Sequence, residues 1–471
     1  MVHLDCDTIL DLDPGHAKAR TRKLRILEAM KRYSDALVEV CALQLKFMQE
    51  NRDKLRMGIP CTPPVSQSKI EDLMGEILPK EVENTMKDIK KKYGNKNRPF
   101  PSVHTIMQLL QSFAGYNSWM SKAARDGDLE KLTKEVNNAA NDSEKVSALM
   151  KRGRRYAYHR QFDNCKDDFE AAYAICEKGG DDFVAMLEDD VYARVLEWTG
   201  MCRHLIYDLE GAIKCYEACS NVEPMNAEIL VKRAGVKMDS GKLEDSIELF
   251  DTALGIDPSA VDALLHRANL RMLEENPVEA KKDLEKCLSL RPDHVFARLR
   301  LATVHMALND VDAAKKCLEK AVETHPDLSE VHSYHGELLF ALQEFADARV
   351  HFDRAIECDA SNPTPYINSA LTLMNIPGPN GPPDVAEVIR LLEKAIEVDP
   401  QFHTAYVHLG QLKLSMASDL ASAQEVVALY DKGLSYCRTA EELKDIVSMR
   451  ILTLAQIQAA SSLKMETLNM Q

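Results

Sequence analysis

Ser259–Pro292 reads SAVDALLHRANLRMLEENPVEAKKDLEKCLSLRP, 34 residues that end on the third of four evenly spaced prolines. Pro224, Pro258, Pro292 and Pro326 stand 34 residues apart, closing runs such as ALGIDP and CLSLRP. Aligned on those prolines, small residues recur at Ala234, Ala268, Ala302 and Gly336, and again at Ser246, Ala280, Ala314 and Ala348. A 34-residue period with small side chains at the eighth and twentieth places and a terminal helix-stopping proline is the tetratricopeptide pattern. Each unit is two antiparallel helices whose small residues permit close approach. No unit buries its apolar face alone, so units stack. The expected fold is all-α, a tetratricopeptide-repeat right-handed superhelical solenoid.

Outward from this stretch, the register predicts units starting near Val146, Ala193, Ala227, Val261, Val295, Ser329, Pro363 and His403. The unit at Pro363 carries a six-residue insertion within NIPGPNGPPD, and the last unit is about four residues longer than the pattern. Residues 117–142 read as a degenerate further unit. TAEELKDIVSMRILTLAQIQAASSL, from Thr439, reads as an amphipathic helix capping the stack. In the same register Pro14 is a terminal proline and Ala17–Leu43 a complete unit with Ala36 at the twentieth place, so the chain is expected to begin inside a repeat. GIPCTPPVSQS and KKKYGNKNRPFPS interrupt the pattern as a loop and a basic, proline-rich hinge. The expected division is therefore a partial N-terminal repeat domain at 1–50, a helical linker at 51–116, a repeat array at 117–436 and a capping helix with tail at 437–471.

Composition agrees with a helical, globular chain: of 471 residues, 45% are hydrophobic but only 6% aromatic. No apolar run reaches the ~18–20 residues needed to span a bilayer, and the start MVHLDCDTIL has the form of neither a signal nor a transit peptide. The 12 cysteines include no CxxC and read as reduced core thiols. A net charge of -15 argues against nucleic acid and for a basic partner.

Four cations, Lys18, Arg20, Arg22 and Lys23, open the first complete unit. Lys18 and Arg22 occupy its second and sixth places, four apart and so on one helix face. That placement matches the carboxylate clamp of tetratricopeptide co-chaperones, which grips the C-terminal carboxylates of heat-shock chaperones ending in EEVD by charge-assisted hydrogen bonds. The alternative is a solvated basic helix face. A clamp-type repeat, a helical linker with KKKYGNKNRPFPSVHTIMQLLQSF and a long C-terminal array together resemble the family of large tetratricopeptide receptors of the mitochondrial outer-membrane translocase, the seventy-kilodalton import receptors. The resemblance rests on Lys92, Tyr93, Asn95, Arg98, Pro101, Ser102 and Phe113, with an insertion near Asn97. It implies a non-enzymatic receptor on the cytosolic face of the mitochondrial outer membrane. Its implied partners are mitochondrial precursor proteins with internal targeting signals, heat-shock chaperone tails and other translocase subunits. A membrane anchor and two further clamp repeats precede the corresponding part of that family, so the chain as given is expected to be soluble, to bind chaperone tails weakly, and to leave the apolar face of residues 1–50 poorly covered.

The array's own residues suggest a binding groove. Met238, Met272, Met306, Phe340 and Met374 recur at the twelfth place of successive units, and methionine is frequent on adaptable apolar binding surfaces. At the second place, where the first unit has Lys18, stand Glu228, Asp262 and Glu330. An acidic, methionine-lined concavity suits a segment both apolar and basic; the alternative is that the methionines pack on their own second helices. Other constellations are weak. His332 and His335 lie three apart without a placed third metal ligand, Cys215 and Cys219 share a helix face, and SGKLED at Ser240 lacks phosphate-loop spacing. No nucleophile has a placed base, and no cofactor is expected. Two further readings stand beside the receptor: a soluble tetratricopeptide co-chaperone or scaffold, and the regulatory arm of an enzyme whose catalytic domain lies outside this chain.

Overall fold

The structure, a computed structural model, describes residues 2–57, 65–93, 99–113, 115–188, 190–378 and 381–465. Most of the GIPCTPPVSQS loop, and Asn95, Asn97 and Arg98 of the linker motif, lie outside the described residues. Among the described residues all regular structure is helical. The helices are α1 Val2–Leu12, α2 Ala17–Ala29, α3 Tyr33–Met57, α4 Gln67–Tyr93, α5 Val103–Gln111, α6 Tyr116–Arg125 and α7 Leu129–Asn138. Eight pairs follow: α8 Asp142–Tyr158 with α9 Phe162–Val184, α10 Val191–Leu205 with α11 Leu209–Val222, α12 Ala227–Asp239 with α13 Leu243–Ile256, and α14 Val261–Leu273 with α15 Pro277–Leu290. Then come α16 Val295–Ala307 with α17 Val311–Thr324, α18 Ser329–Ala341 with α19 Phe345–Cys358, α20 Thr364–Leu373 with α21 Val385–Val398, and α22 His403–Met416 with α23 Leu420–Leu434. The chain closes on α24 Ala440–Ser462. The unit starts read from the prolines are thus helix starts to within two residues, apart from the first, where α8 begins four residues before Val146.

The turn inside α2–α3 and inside each pair from α8–α9 to α18–α19 is built the same way. At the fifteenth place the backbone is left-handed at Lys31, Arg160, Tyr207, Gly241, Glu275, Asn309 and Gln343, with φ between 57° and 75°. One residue on, the N–H reaches back to a carbonyl five residues earlier, as Lys242 does to Lys237 at 2.9 Å and Asp310 to His305 at 2.8 Å. That is the 6→1 bond of a Schellman motif, which stops the first helix and aims the chain antiparallel. Side-chain caps then start many of the helices: Asp208 accepts from Gly211 N–H at 3.0 Å, Asn276 from Glu279 and Asp310 from Ala313. Only one of the seven left-handed positions is glycine, so the motif is held by packing against a backbone cost.

Inside each pair the eighth and twenty-fourth places interlock. Phe250, Leu284, Leu318 and Phe352 are all buried to within 1% of full. Where the eighth place is glycine its partner is aromatic. A Cβ on Gly336 would stand 2.6 Å from Phe352 Cε1, and one on Gly153 2.6 Å from Phe169 Cε1. Where it is Ala268 or Ala302 the partner is Leu284 or Leu318.

Contacts divide the chain into two compact units: Met1–Lys96 with Ser369–Gln471, and Asn97–Asn368. In the first, α24 packs on α22 and α23 and also on α3 and α4, so the C-terminal helix is covered on both sides. One buried cluster joins Leu24, Leu37, Val40, Leu73 and Ile77 to Tyr406, Tyr430, Ile446 and Ala459. This corrects the expectation of a poorly covered face on residues 1–50: Leu37 and Val40 are fully buried because α4 and α24 lie against α3. The segment 51–116, expected as one linker, is shared, with α4 in this unit and α5 in the other. In the second unit the first helices of successive pairs touch, α10 with α12, α12 with α14, α14 with α16 and α16 with α18, while the second helices stay farther apart. The first helices therefore form its inner face.

Candidate functional site

The inner face of the second unit is read most directly at the sixth place of each first helix, one turn beyond the second: Lys232, His266, Arg300, Tyr334 and Asn368. These side chains form a polar ladder. Lys232 Nζ pairs with Glu228 at 2.6 Å and with Glu197, and Arg194 joins Glu197 to Glu223. Burial opposes the charge on Lys232, yet Glu197 and Glu228 together hold its ammonium above the ordinary lysine range. Lys232 in turn keeps the Glu228 carboxyl below its usual value. Burial, with Arg300 nearby, drives His266 down to about 4, so its ring is neutral at pH 7. Arg300 lies over the Tyr334 ring at 5.6 Å, and Asn368 Nδ2 donates to Glu337 at 3.0 Å.

Beside this face lies the chain's own segment 103–113, whose Phe113 meets the ladder. Gln108 Nε2 donates to Glu330 Oε1 at 3.3 Å, and His104 Nδ1 stands 3.7 Å from Asp359 Oδ2. The Phe113 ring is 5.0 Å from the His266 ring and 5.7 Å from Lys232 Nζ. Gly115 follows beside the Glu228 carboxylate. The segment thus runs from the α18–α19 pair back toward α12, opposite to the order of the repeats.

Of the residues singled out by sequence, Glu228 and Glu330 come together on this segment. Asp262 is 8% exposed on α14. Met238 packs against the same buried cluster as Phe113. Met272, Met306 and Phe340 are half-buried against clusters of their own pairs, Phe340 edge-on to Phe345 at 5.3 Å. Met374 lies in the other unit, 40% exposed. The sixth-place ladder was missed, although its signal was present: Arg22, already singled out, holds that same register place.

In the first unit the four opening cations divide. Lys18 and Arg22 are exposed on α2, and no ion pair joins either to another described residue. Arg20, 2% exposed, donates to Glu39 at 2.6 Å, to the Pro14 carbonyl at 2.7 Å and to Ser462 Oγ at 3.1 Å. Lys23 bridges Asp7 at 2.8 Å and Glu39 at 3.1 Å. Half of the basic cluster is therefore internal structure, and the half with clamp spacing is free to meet a ligand.

The histidine pair gains a third member, His351 on α19. His332 Nε2 donates to the Pro326 carbonyl at 2.8 Å, leaving Nδ1 to meet His351 Nδ1 at 3.4 Å, while the His335 and His351 rings stack at 4.0 Å. Burial and the neighbouring imidazoles push His351 down to about 4 and also lower His335. Among the described residues no three His, Cys, Asp or Glu are arranged to hold a metal ion. Cys215 and Cys219 are buried free thiols, raised by burial to about 11 and about 12. Among the described residues no helix is long and apolar enough to cross a membrane.

A tetratricopeptide repeat model matches residues 271–338. Among solved structures, yeast Tom70 is similar over 97% of this chain and 84% of its own, with a TM-score of 0.60 at 21% identity. A tetratricopeptide repeat protein from Parabacteroides merdae matches 57% of this chain and 98% of its own, at a TM-score of 0.44 and 17% identity. Together with twenty-four helices among the described residues, the repeat-model match and the likeness to yeast Tom70 make the chain an all-α tetratricopeptide solenoid, an architecture typical of non-enzymatic protein-binding scaffolds.

Proposed function

We propose that the chain is a receptor for mitochondrial precursor proteins, acting at the cytosolic face of the outer membrane and taking internal targeting segments on the inner face of the 117–436 array. The observation that carries this reading is that Gln108 of the amphipathic helix α5 meets second-place Glu330 and that Phe113, just beyond the helix, meets sixth-place His266 and Lys232. The fold-level likeness to yeast Tom70 over nearly the whole chain, and the linker residues Pro101, Ser102 and Phe113, support it. Glu228, Asp262 and Glu330 with Met238, Met272, Met306, Phe340 and Met374 are the proposed precursor contacts. Lys18 and Arg22 are the proposed contacts for an EEVD chaperone tail, in the 1–50 part. Other translocase subunits are further partners of the same reading.

Photo-crosslinking a carrier-type precursor peptide to the folded chain tests this. Labels should fall on α12, α14, α16 and α18 and not on α2. Met272→Glu combined with Phe340→Glu should remove them while the circular dichroism stays helical. Labels on α2 alone, or labelling unchanged in that folded double variant, would sink the assignment.

A further inference from the structure

We infer that α5 is a resident ligand of the inner face, and that an incoming ligand is a basic amphipathic helix that displaces it. This inference rests on the inner face being the binding site proposed above.

The case begins with the sequence of α5, VHTIMQLLQ. Ile106, Met107 and Leu110 fall on one helical face and are buried, at 1%, 8% and 5% exposed, in one cluster with Val146 and Leu149 of α8 and Val195 and Trp198 of α10, so the apolar contacts of α5 are made at the α8–α10 end of the inner face. On a second flank His104 and Gln108 stand one turn apart and meet the carboxylates of Asp359 and Glu330. Two turns on, Phe113 fills the place between His266 and Lys232. Apolar residues with a polar pair at i and i+4, ending on an aromatic anchor, are the way a peptide helix lies in a groove of facing helices. The inner face is thus complementary to a helix, and α5 shows which of its side chains do the reading.

Three features make α5 a weak occupant. It has nine residues, below the ~12–15 at which an isolated helix persists in water. Its N-terminal cap is one hydrogen bond, Thr105 N–H to Ser102 Oγ at 3.3 Å. Above all, it offers an amide and an imidazole to two carboxylates, at 3.3 Å and 3.7 Å, where a lysine or arginine would make shorter charge-assisted bonds. A helix that repeats the apolar spacing of α5 but carries cations at the places of His104 and Gln108 gains those bonds and replaces it. The site is then closed to neutral amphipathic helices and open to basic ones, so occupancy by α5 acts as a specificity filter.

The test uses the full chain and two fluorescent peptides. One is residues 100–115, FPSVHTIMQLLQSFAG; the other has lysine at the two places of His104 and Gln108. In fluorescence anisotropy the lysine peptide should bind at least about tenfold tighter than the native one, the worth of one charge-assisted bond. Glu330→Gln should erase most of that preference. The double variant H104A/Q108A, which loosens α5 without touching its buried residues, should bind both peptides about tenfold tighter than the unaltered chain. Saturation with the lysine peptide should expose the amides of 103–113 to hydrogen exchange while those of α12 to α18 stay protected. Binding without loss of protection in 103–113, equal affinity for the two peptides, or an H104A/Q108A chain that melts normally and binds no tighter would each overturn the inference. Should H104A/Q108A fail to fold, Q108A alone carries the same comparison. Both probes derive from the chain's own sequence. A failure here with intact precursor crosslinking rejects the resident ligand, and the reverse pattern rejects the receptor reading.

Discussion

Gly336→Ala puts the interlock between paired helices to a quantitative test. The new Cβ would stand 2.6, 2.8 and 2.9 Å from Cε1, Cδ1 and Cζ of Phe352, a ring that is 1% exposed and walled in by α18 and α19. Overpacking of this kind costs about 1–3 kcal/mol, and alanine's better helix propensity returns about 1. The net loss is about 1 kcal/mol, at the low end because Ala234 over Phe250 shows that the backbone can accommodate the pair. Phe352→Leu alone leaves a gap over Gly336 and costs about 1–2 kcal/mol, less than the full truncation of a phenylalanine. Combined, the two changes recreate the Ala268–Leu284 and Ala302–Leu318 pairs found elsewhere in the same chain. The double variant should therefore be more stable than the sum of the single losses by about 1 kcal/mol. Because a repeat array does not unfold in one step, hydrogen exchange of α18 and α19 amides is the assay. Additivity within about 0.5 kcal/mol would refute the idea that the eighth and twenty-fourth places are chosen together.

Other outcomes follow from the same geometry. Gln343→Gly relieves a left-handed residue at φ 63° and should stabilise the α18–α19 pair by about 0.5–1 kcal/mol, read as slower exchange there. Arg20→Met leaves Glu39 buried with only Lys23 and should destabilise the first unit by about 3 kcal/mol, seen as a lower urea midpoint. Arg22→Ala, at an exposed site, should stay within about 0.5 kcal/mol while lowering affinity for an EEVD peptide about tenfold. His351, held down near 4 by burial and by His335, binds its proton more readily once unfolded, where its pKa is about 6.5. Stability of the α18–α19 pair should therefore be full above pH 6.5 and fall as pH drops toward 4; His351→Gln should flatten that slope in pH-dependent exchange.

What the sequence made legible was whatever repeats. A 34-residue period places Ala234, Phe250 and Pro258 in one register, and the helix starts follow from it because each pair solves the same local packing problem. Partners far away in sequence were not legible. Arg20 and Lys23 looked like surface cations beside Lys18 and Arg22, since nothing local marks Glu39 and Ser462 as their neighbours. Segment 103–113 read as a linker because its carboxylate partner, Glu330, lies 222 residues on. His351 escaped notice for a related reason: the histidine trio is assembled across two helices, and a search along one helix sees only His332 and His335.

The bond from Arg20 to Ser462 has a consequence for synthesis. Proteins are made from the N-terminus at about 5–20 residues per second, so roughly 20–80 s separate the emergence of α3 from that of the α24 that covers it. Through that interval Leu37, Val40 and the other apolar side chains of α3 have their neighbours on α2 and α4 but lack the cover that α24 supplies, and residues 97–368 are complete as a unit before it arrives. The continuous unit 97–368 is therefore completed before the one that α3 belongs to, although α3 is made earlier. A premature stop anywhere before Ala440 would leave the α24 side of α3 permanently open and mark the fragment for chaperones or proteases.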